Sequence, residues 1–107
     1  DVLVLCSESI VPLALVDCYP IGVLEMIDGG CEDMKIIAIA KNDPVFNSFK
    51  DIKEIPDHIL QEIKHFFIVY KQLEGKETVV ENVRGRKLAL QIIKDAIELY
   101  KQKFPDK

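Results

Sequence analysis

Asp28 and Asp33 stand five residues apart across a Gly29-Gly30 step, and Lys35 follows two residues after the second carboxylate. Hard divalent cations such as Mg²⁺ take carboxylate oxygens, and phosphate groups take an ammonium. The combination points to metal-assisted phosphate chemistry. A flexible Gly-Gly step lets both carboxylates approach one ion; the plainer reading is a solvated acidic turn between strands. A calcium loop of the EF-hand type fails, because the twelfth position counted from Asp28 is Ile39, where that loop needs a bidentate Glu. Tyr70-Lys71 is the second candidate element, a hydroxyl and an ammonium side by side on a helix. Taken alone, such a pair is more often a packed tyrosine next to an exposed lysine.

Other chemistries find less support. His58 and His65 are seven residues apart, whereas metal-binding pairs on a helix favour a spacing of four. His65, beside Phe66 and Phe67, reads as structural or as part of a subunit contact. Neither histidine has a Ser or Cys partner at a recognisable spacing, and Gly75-Lys76-Glu77 lacks the other elements of a phosphate-binding P-loop. Cys6, Cys18 and Cys31 leave at least one thiol unpaired and show no C-x-x-C spacing, which suits reduced thiols in a cytoplasmic protein. Cys31 lies inside the acidic segment and could be sensitive to oxidation.

A chain of 107 residues is at most one domain, and 49% hydrophobic with 30% charged residues is an ordinary globular balance. A net charge of −4 argues against a dedicated nucleic-acid binder, which presents a basic face. It does not argue against phosphate substrates, since divalent cations can mediate between an acidic site and a polyanion. No apolar run approaches the length of a membrane span, so no membrane partner is expected. The sequence opens with Asp1 directly on a strand-like run, which reads as a cut edge.

The elements that would position these residues follow from the apolar patterning. Val2–Leu5 reads as a short strand, Leu13 to Ile27 as one or two β segments kinked near Pro20 and Gly22, and Lys35–Ala40 as a buried strand. Asn42-Asp43-Pro44 opens a surface loop. Ile59, Leu60, Ile63, Phe66, Phe67, Tyr70 and Leu73 recur at helical spacing between Pro56 and Gly75. Glu77–Val83 is a strand candidate, and a second helical stripe runs from Leu88 through Ile92, Ile93, Ala96, Ile97 and Tyr100 toward Phe104. Strands first and helices later predict an α+β domain.

The runs Pro20–Asp28 and Glu32–Ala38, followed by Ile63–Gly75, resemble the family I soluble inorganic pyrophosphatases. The likeness is densest from Asp1 to about Gly75. It implies an OB-like closed β-barrel, present here in part, with two amphipathic helices packed outside. It implies hydrolysis of inorganic pyrophosphate to two phosphates with Mg²⁺, several ions per active site, in a homo-oligomer. The family signature is Asp-x-Asp-Pro-x-Asp-Val, of which Asp1-Val2 match the last two positions. By that match Asp1 resembles the aspartate that bridges the metals activating the water. Asp33 would be another ligand of that cluster, and Asp28 would hold the metals that arrive with the substrate. Lys35, Tyr70 and Lys71 would contact the phosphates.

The same resemblance implies that residues 1–107 are the C-terminal portion of one pyrophosphatase domain. The earlier signature aspartates, one of them the general base, would then lie upstream, and the 107 residues alone are expected to bind metal weakly and hydrolyse little. Val83-Arg84-Gly85-Arg86, Val69 and Gln72 depart from the family pattern, which bears on oligomer geometry. The incomplete site motivates an alternative, a non-catalytic oligomerisation or interaction module built on the same barrel. Against it, three mutually repelling carboxylates have no physical reason to persist without metal.

Overall fold

The computed structural model describes residues 1–105. Four strands, β1 (Val2–Leu5), β2 (Cys18–Asp28), β3 (Cys31–Ala40) and β4 (Thr78–Gly85), form one mixed sheet in the order β1-β3-β2-β4. Helix α1 (Asp57–Leu73) precedes β4, and α2 (Arg86–Lys103) follows it. The α+β architecture is thus observed. The four strands are not closed by hydrogen bonds, so the barrel character is that of an open, twisted part with β1 and β4 as its edges.

β2 and β3 form a hairpin whose two loop residues, Gly29 and Gly30, both have positive φ (59° and 83°). That conformation is the one a two-residue hairpin turn requires, and glycine reaches it without strain. The acidic segment is therefore the tip of a ladder rather than a free loop, and β3 starts at Cys31 instead of Lys35. β1 lies parallel to β3 and β4 antiparallel to β2.

Each sheet face buries one helix. Ile21, Leu24, Met26, Ile37 and Ile39 pack with Ile63 and Phe67 of α1 and with Ile52 and Ile55 around a short 3-10 turn. Val23 and Ile36, on the other face, pack against Ala89, Leu88, Ile92 and Ile93 of α2. At Gly22 a Cβ would come within 2.6 Å of Ile52 Cγ2 and 2.7 Å of the Arg84 carbonyl oxygen, so only glycine lets the turn close onto the sheet. Asp51 joins the two layers: its side chain accepts from the Lys53 N–H at 3.1 Å and from the Arg86 N–H, at the start of α2, at 3.2 Å.

The expected β structure before Cys18 is not formed. β3 ends at Ala40, which pairs with Cys18, so residues upstream have no ladder to join beyond the Lys41 N–H bond to the Asp17 carbonyl. Apolar Val11, Leu13 and Leu15 consequently stand exposed in a loop. Asn42-Asp43-Pro44 does form a turn, but Asp43 is buried rather than at the surface.

Candidate active site

Register does most of the positioning. Leu24 pairs with Lys35, Met26 with Asp33 and Asp28 with Cys31, which places Asp28, Asp33 and Lys35 on the α1 face of the sheet. The Asp1 carbonyl accepts the Ile36 N–H at 2.9 Å, fixing Asp1 beside Lys35 where β1 starts. On α1, Ile63, Phe67 and Lys71 follow one another at intervals of four, so Lys71 extends the buried stripe to the polar end of the sheet.

The resulting side chains form one continuous row. Lys35 Nζ lies 2.6 Å from Asp1 Oδ2 and 2.9 Å from Asp33 Oδ2. Lys71 Nζ lies 2.9 Å from Asp28 Oδ2, 4.0 Å from Asp33 Oδ2 and 3.6 Å from Glu74 Oε2. Carboxylates and ammoniums alternate from Asp1 through Lys35, Asp33 and Lys71 to Asp28. The Lys35 side chain is only 3% exposed and that of Lys71 12% exposed. The carboxylates facing both ammoniums offset the cost of enclosing them. The hydrogen bond from Lys71 holds the Asp28 carboxyl below its usual range against the opposing effect of burial, and the same bond raises Lys71. Asp1, Lys35, Phe67, Tyr70, Lys71 and Glu74 line a cleft of about 450 Å³ along this row.

The donors suit a hard divalent cation in their chemistry. Asp28 Oδ1 is buried and accepts no hydrogen bond from the described residues, which leaves lone pairs that a cation could take. Among the described residues, no three His, Cys, Asp or Glu side chains converge into a cage. The three carboxylates are instead joined through the lysines.

Of the residues expected from sequence, Asp1, Asp28, Asp33, Lys35 and Lys71 are brought together, with Asp1 the most open at 80% side-chain exposure. Tyr70 and Lys71 reverse the ordinary expectation for such a pair. Tyr70 is 49% exposed and stacks on Phe66 at 6.0 Å between ring centroids, while Lys71 is the buried member. Tyr70 still borders the cleft, beside the Lys71 ammonium at 6.0 Å from its ring. Cys31 is free and exposed. Sequence reasoning missed Glu74, three residues beyond Lys71 at the C-cap of α1, and Thr78, which pairs with Asp28 across β2 and β4.

The mixed sheet holds alternate carboxylates and ammoniums in one cleft, side chains whose chemistry suits an anion taken together with cations. Comparison with known proteins narrows that class. The family model described as inorganic pyrophosphatase matches residues 1–101. Soluble inorganic pyrophosphatase 2 of Chlamydomonas reinhardtii is 42% identical over 104 residues, 97% of this chain and 54% of the relative. The inorganic pyrophosphatase of Picrophilus torridus is 40% identical over 102 residues, 95% of this chain and 58% of the relative. Among solved structures, the Helicobacter pylori inorganic pyrophosphatase superposes with a TM-score of 0.86 at 35% identity, covering 94% of this chain and 61% of that one. The Thermus thermophilus enzyme gives 0.85 at 35% identity, covering 92% and 59%. These neighbours have an OB-like fold. The chain belongs to the inorganic pyrophosphatase family, and it spans about half the length of the curated relatives it matches.

Proposed function

We propose that the protein carrying this chain hydrolyses inorganic pyrophosphate to two phosphates, with Mg²⁺ ions held by Asp1, Asp28 and Asp33. The observation that carries this reading is the single row of Asp1, Lys35, Asp33, Lys71 and Asp28, in a chain of this family. When bound, several such ions would screen the phosphate charge and make water acidic enough to attack near neutral pH. The chain's own residues act on the phosphates. Lys35 and Lys71 point ammonium charge into the cleft and neutralise phosphate oxygens as negative charge builds on the leaving group. Tyr70, at the rim, donates a hydrogen bond to a phosphate oxygen without adding charge. The water oxygen–phosphorus bond forms as the bridging phosphorus–oxygen bond breaks; the second phosphate leaves with that electron pair and takes up the proton that the water gives up. Enclosure of both lysines by protein strengthens each contact relative to water.

Two further assignments rest on lesser support. Homo-oligomerisation is favoured by the apolar side of α1 left open by Phe66, Val69, Tyr70 and Leu73. A cytoplasmic setting is favoured by the free thiols Cys6, Cys18 and Cys31. No helix among the described residues is long and apolar enough to cross a membrane.

The test is phosphate release from pyrophosphate by the whole protein, with Mg²⁺ and after chelation with EDTA. Release that EDTA abolishes and Mg²⁺ restores is the expected result. A folded protein that leaves pyrophosphate intact at saturating Mg²⁺ would overturn the proposal.

A further inference from the structure

Two buried side-chain oxygens of this molecule lack a hydrogen-bond partner among the described residues, Asp28 Oδ1 and Thr78 Oγ1. They are not scattered. Asp28 at the end of β2 and Thr78 at the start of β4 are direct register partners, so both side chains project from the same sheet face. Opposed residues of an antiparallel pair have Cβ atoms roughly 4.5–5.5 Å apart, within reach of a hydroxyl-to-carboxylate hydrogen bond after a side-chain rotation. The chemistry is complementary as well. An ionised carboxylate only accepts, a threonine hydroxyl donates, and each is costly to leave buried and unpaired.

We propose that Thr78 is a positioning residue for Asp28: its hydroxyl donates to Asp28 Oδ1 and fixes the carboxylate's orientation at the cleft. Lys71 holds the other oxygen, Oδ2, at 2.9 Å. Held from both sides, the carboxylate cannot rotate freely about its Cβ–Cγ bond, and each oxygen keeps a second lone pair with which it meets a cation without first losing that freedom. The backbone supports the arrangement, because the Gly29 N–H donates to the Glu77 carbonyl at 3.3 Å and pins the hairpin tip to the start of β4.

The inference rests on the proposed role of Asp28 as a cation ligand, and the experiment separates the two. Mg²⁺ binding to the whole protein saturated with methylenediphosphonate, a non-hydrolysable pyrophosphate analogue, is followed by calorimetry for the wild type, Thr78→Val, Thr78→Ser and Asp28→Asn. Thr78→Val keeps the shape and removes the hydroxyl, and Thr78→Ser restores the hydroxyl without the methyl. The expected result is a Mg²⁺ Kd weakened about five- to tenfold in Thr78→Val, the scale of one hydrogen bond to a charged group. Thr78→Ser binds within twofold of wild type, and Thr78→Val regains most of its kcat at saturating Mg²⁺. Weakening in Thr78→Ser without weakening in Thr78→Val would mean that the methyl packs and the hydroxyl does nothing, which overturns the proposal. So would unaltered Mg²⁺ binding in Thr78→Val when Asp28→Asn binds poorly. Unaltered binding in Asp28→Asn removes the cation role of Asp28 itself, and the proposal for Thr78 falls with it. Should Thr78→Val fold poorly, Thr78→Ala takes its place, alone and combined with Asp28→Asn: the hydroxyl role predicts weaker binding in Thr78→Ala alone and no further loss in the Asp28→Asn background, and a further loss there would overturn it.

Discussion

The aspartates at the two ends of β3 show how differently the same side chain can be held. Past the strand's last residue, Asp43 is 5% exposed and all its partners are neutral donors. The Ser7 N–H and hydroxyl reach its Oδ2 at 2.6 and 2.8 Å, and the Val45 and Phe46 N–H groups reach Oδ1 at 2.9 and 3.0 Å. At the other end, Asp28, Asp33 and Asp1 face ammoniums on long, jointed side chains, and Asp28 Oδ1 has no backbone donor among the described residues. The first carboxylate is saturated by the fold and locks the loop after β1 to the loop after β3. The second group is held by charges that can be exchanged for others. A buried carboxylate is structural when backbone and hydroxyl donors satisfy it, and available for ligands when lysines do.

Replacing one member of the exchangeable set has the largest expected effect. Lys71→Met should lower kcat/KM for pyrophosphate by about 10²–10³-fold, the scale of one preorganised electrostatic group. Steady-state kinetics on the whole protein checks this, and a loss under threefold would place Lys71 outside the chemistry.

Asp43 should respond in stability rather than rate. Its hydrogen bonds, first that from the Ser7 N–H, hold the carboxyl well below the usual carboxylate range despite burial. A depressed folded value means that the stabilisation is complete above the unfolded-chain value, about 4. It is lost as the pH falls from there through the folded value. Thermal melts of wild type and Asp43→Asn should therefore differ by several degrees at pH 7 and draw together below pH 4. A constant gap across that range would contradict the ionised knot.

Gly22→Ala probes the scaffold shared by both ends. A Cβ at 2.6 Å from Ile52 and 2.7 Å from a backbone oxygen cannot be absorbed by a side-chain swing alone. Denaturant unfolding should show a loss of about 1–3 kcal/mol, the usual cost of overpacking. The smallest effect belongs to Cys31→Ser. The thiol is free and exposed at the hairpin tip and outside the row of charges, so kcat and melting temperature should stay within error of wild type.

Much of this arrangement is legible in the residue order, for local reasons. The Gly29-Gly30 turn, the strands at Val2–Leu5 and Lys35–Ala40, and both helices follow from turn chemistry and periodicity. The cluster of Asp1, Asp28, Asp33, Lys35 and Lys71 is reached mainly through the family resemblance. Burial of Lys71 was available in principle from its spacing to Ile63 and Phe67. It was obscured because Phe66, Val69, Tyr70 and Leu73 widen the apolar stripe beyond the face that the sheet covers. Asp43 looked like an ordinary turn residue because its partner Ser7 is 36 residues away, and no local pattern encodes that contact. The segment from Leu13 to Val16 has strand composition but no neighbouring strand long enough to pair with it. Thr78 meets Asp28 only through the register of β4 against β2.

The contrast between the two ends is tested most directly by measuring kcat/KM and melting temperature side by side for Asp33→Asn and Asp43→Asn in the whole protein. The account predicts that Asp33→Asn loses several orders of magnitude in rate with little change in melting temperature. Asp43→Asn should melt several degrees lower yet turn over at near the wild-type rate while folded. Near-wild-type hydrolysis by Asp33→Asn, or a rate loss in Asp43→Asn as large as that in Asp33→Asn, would contradict it.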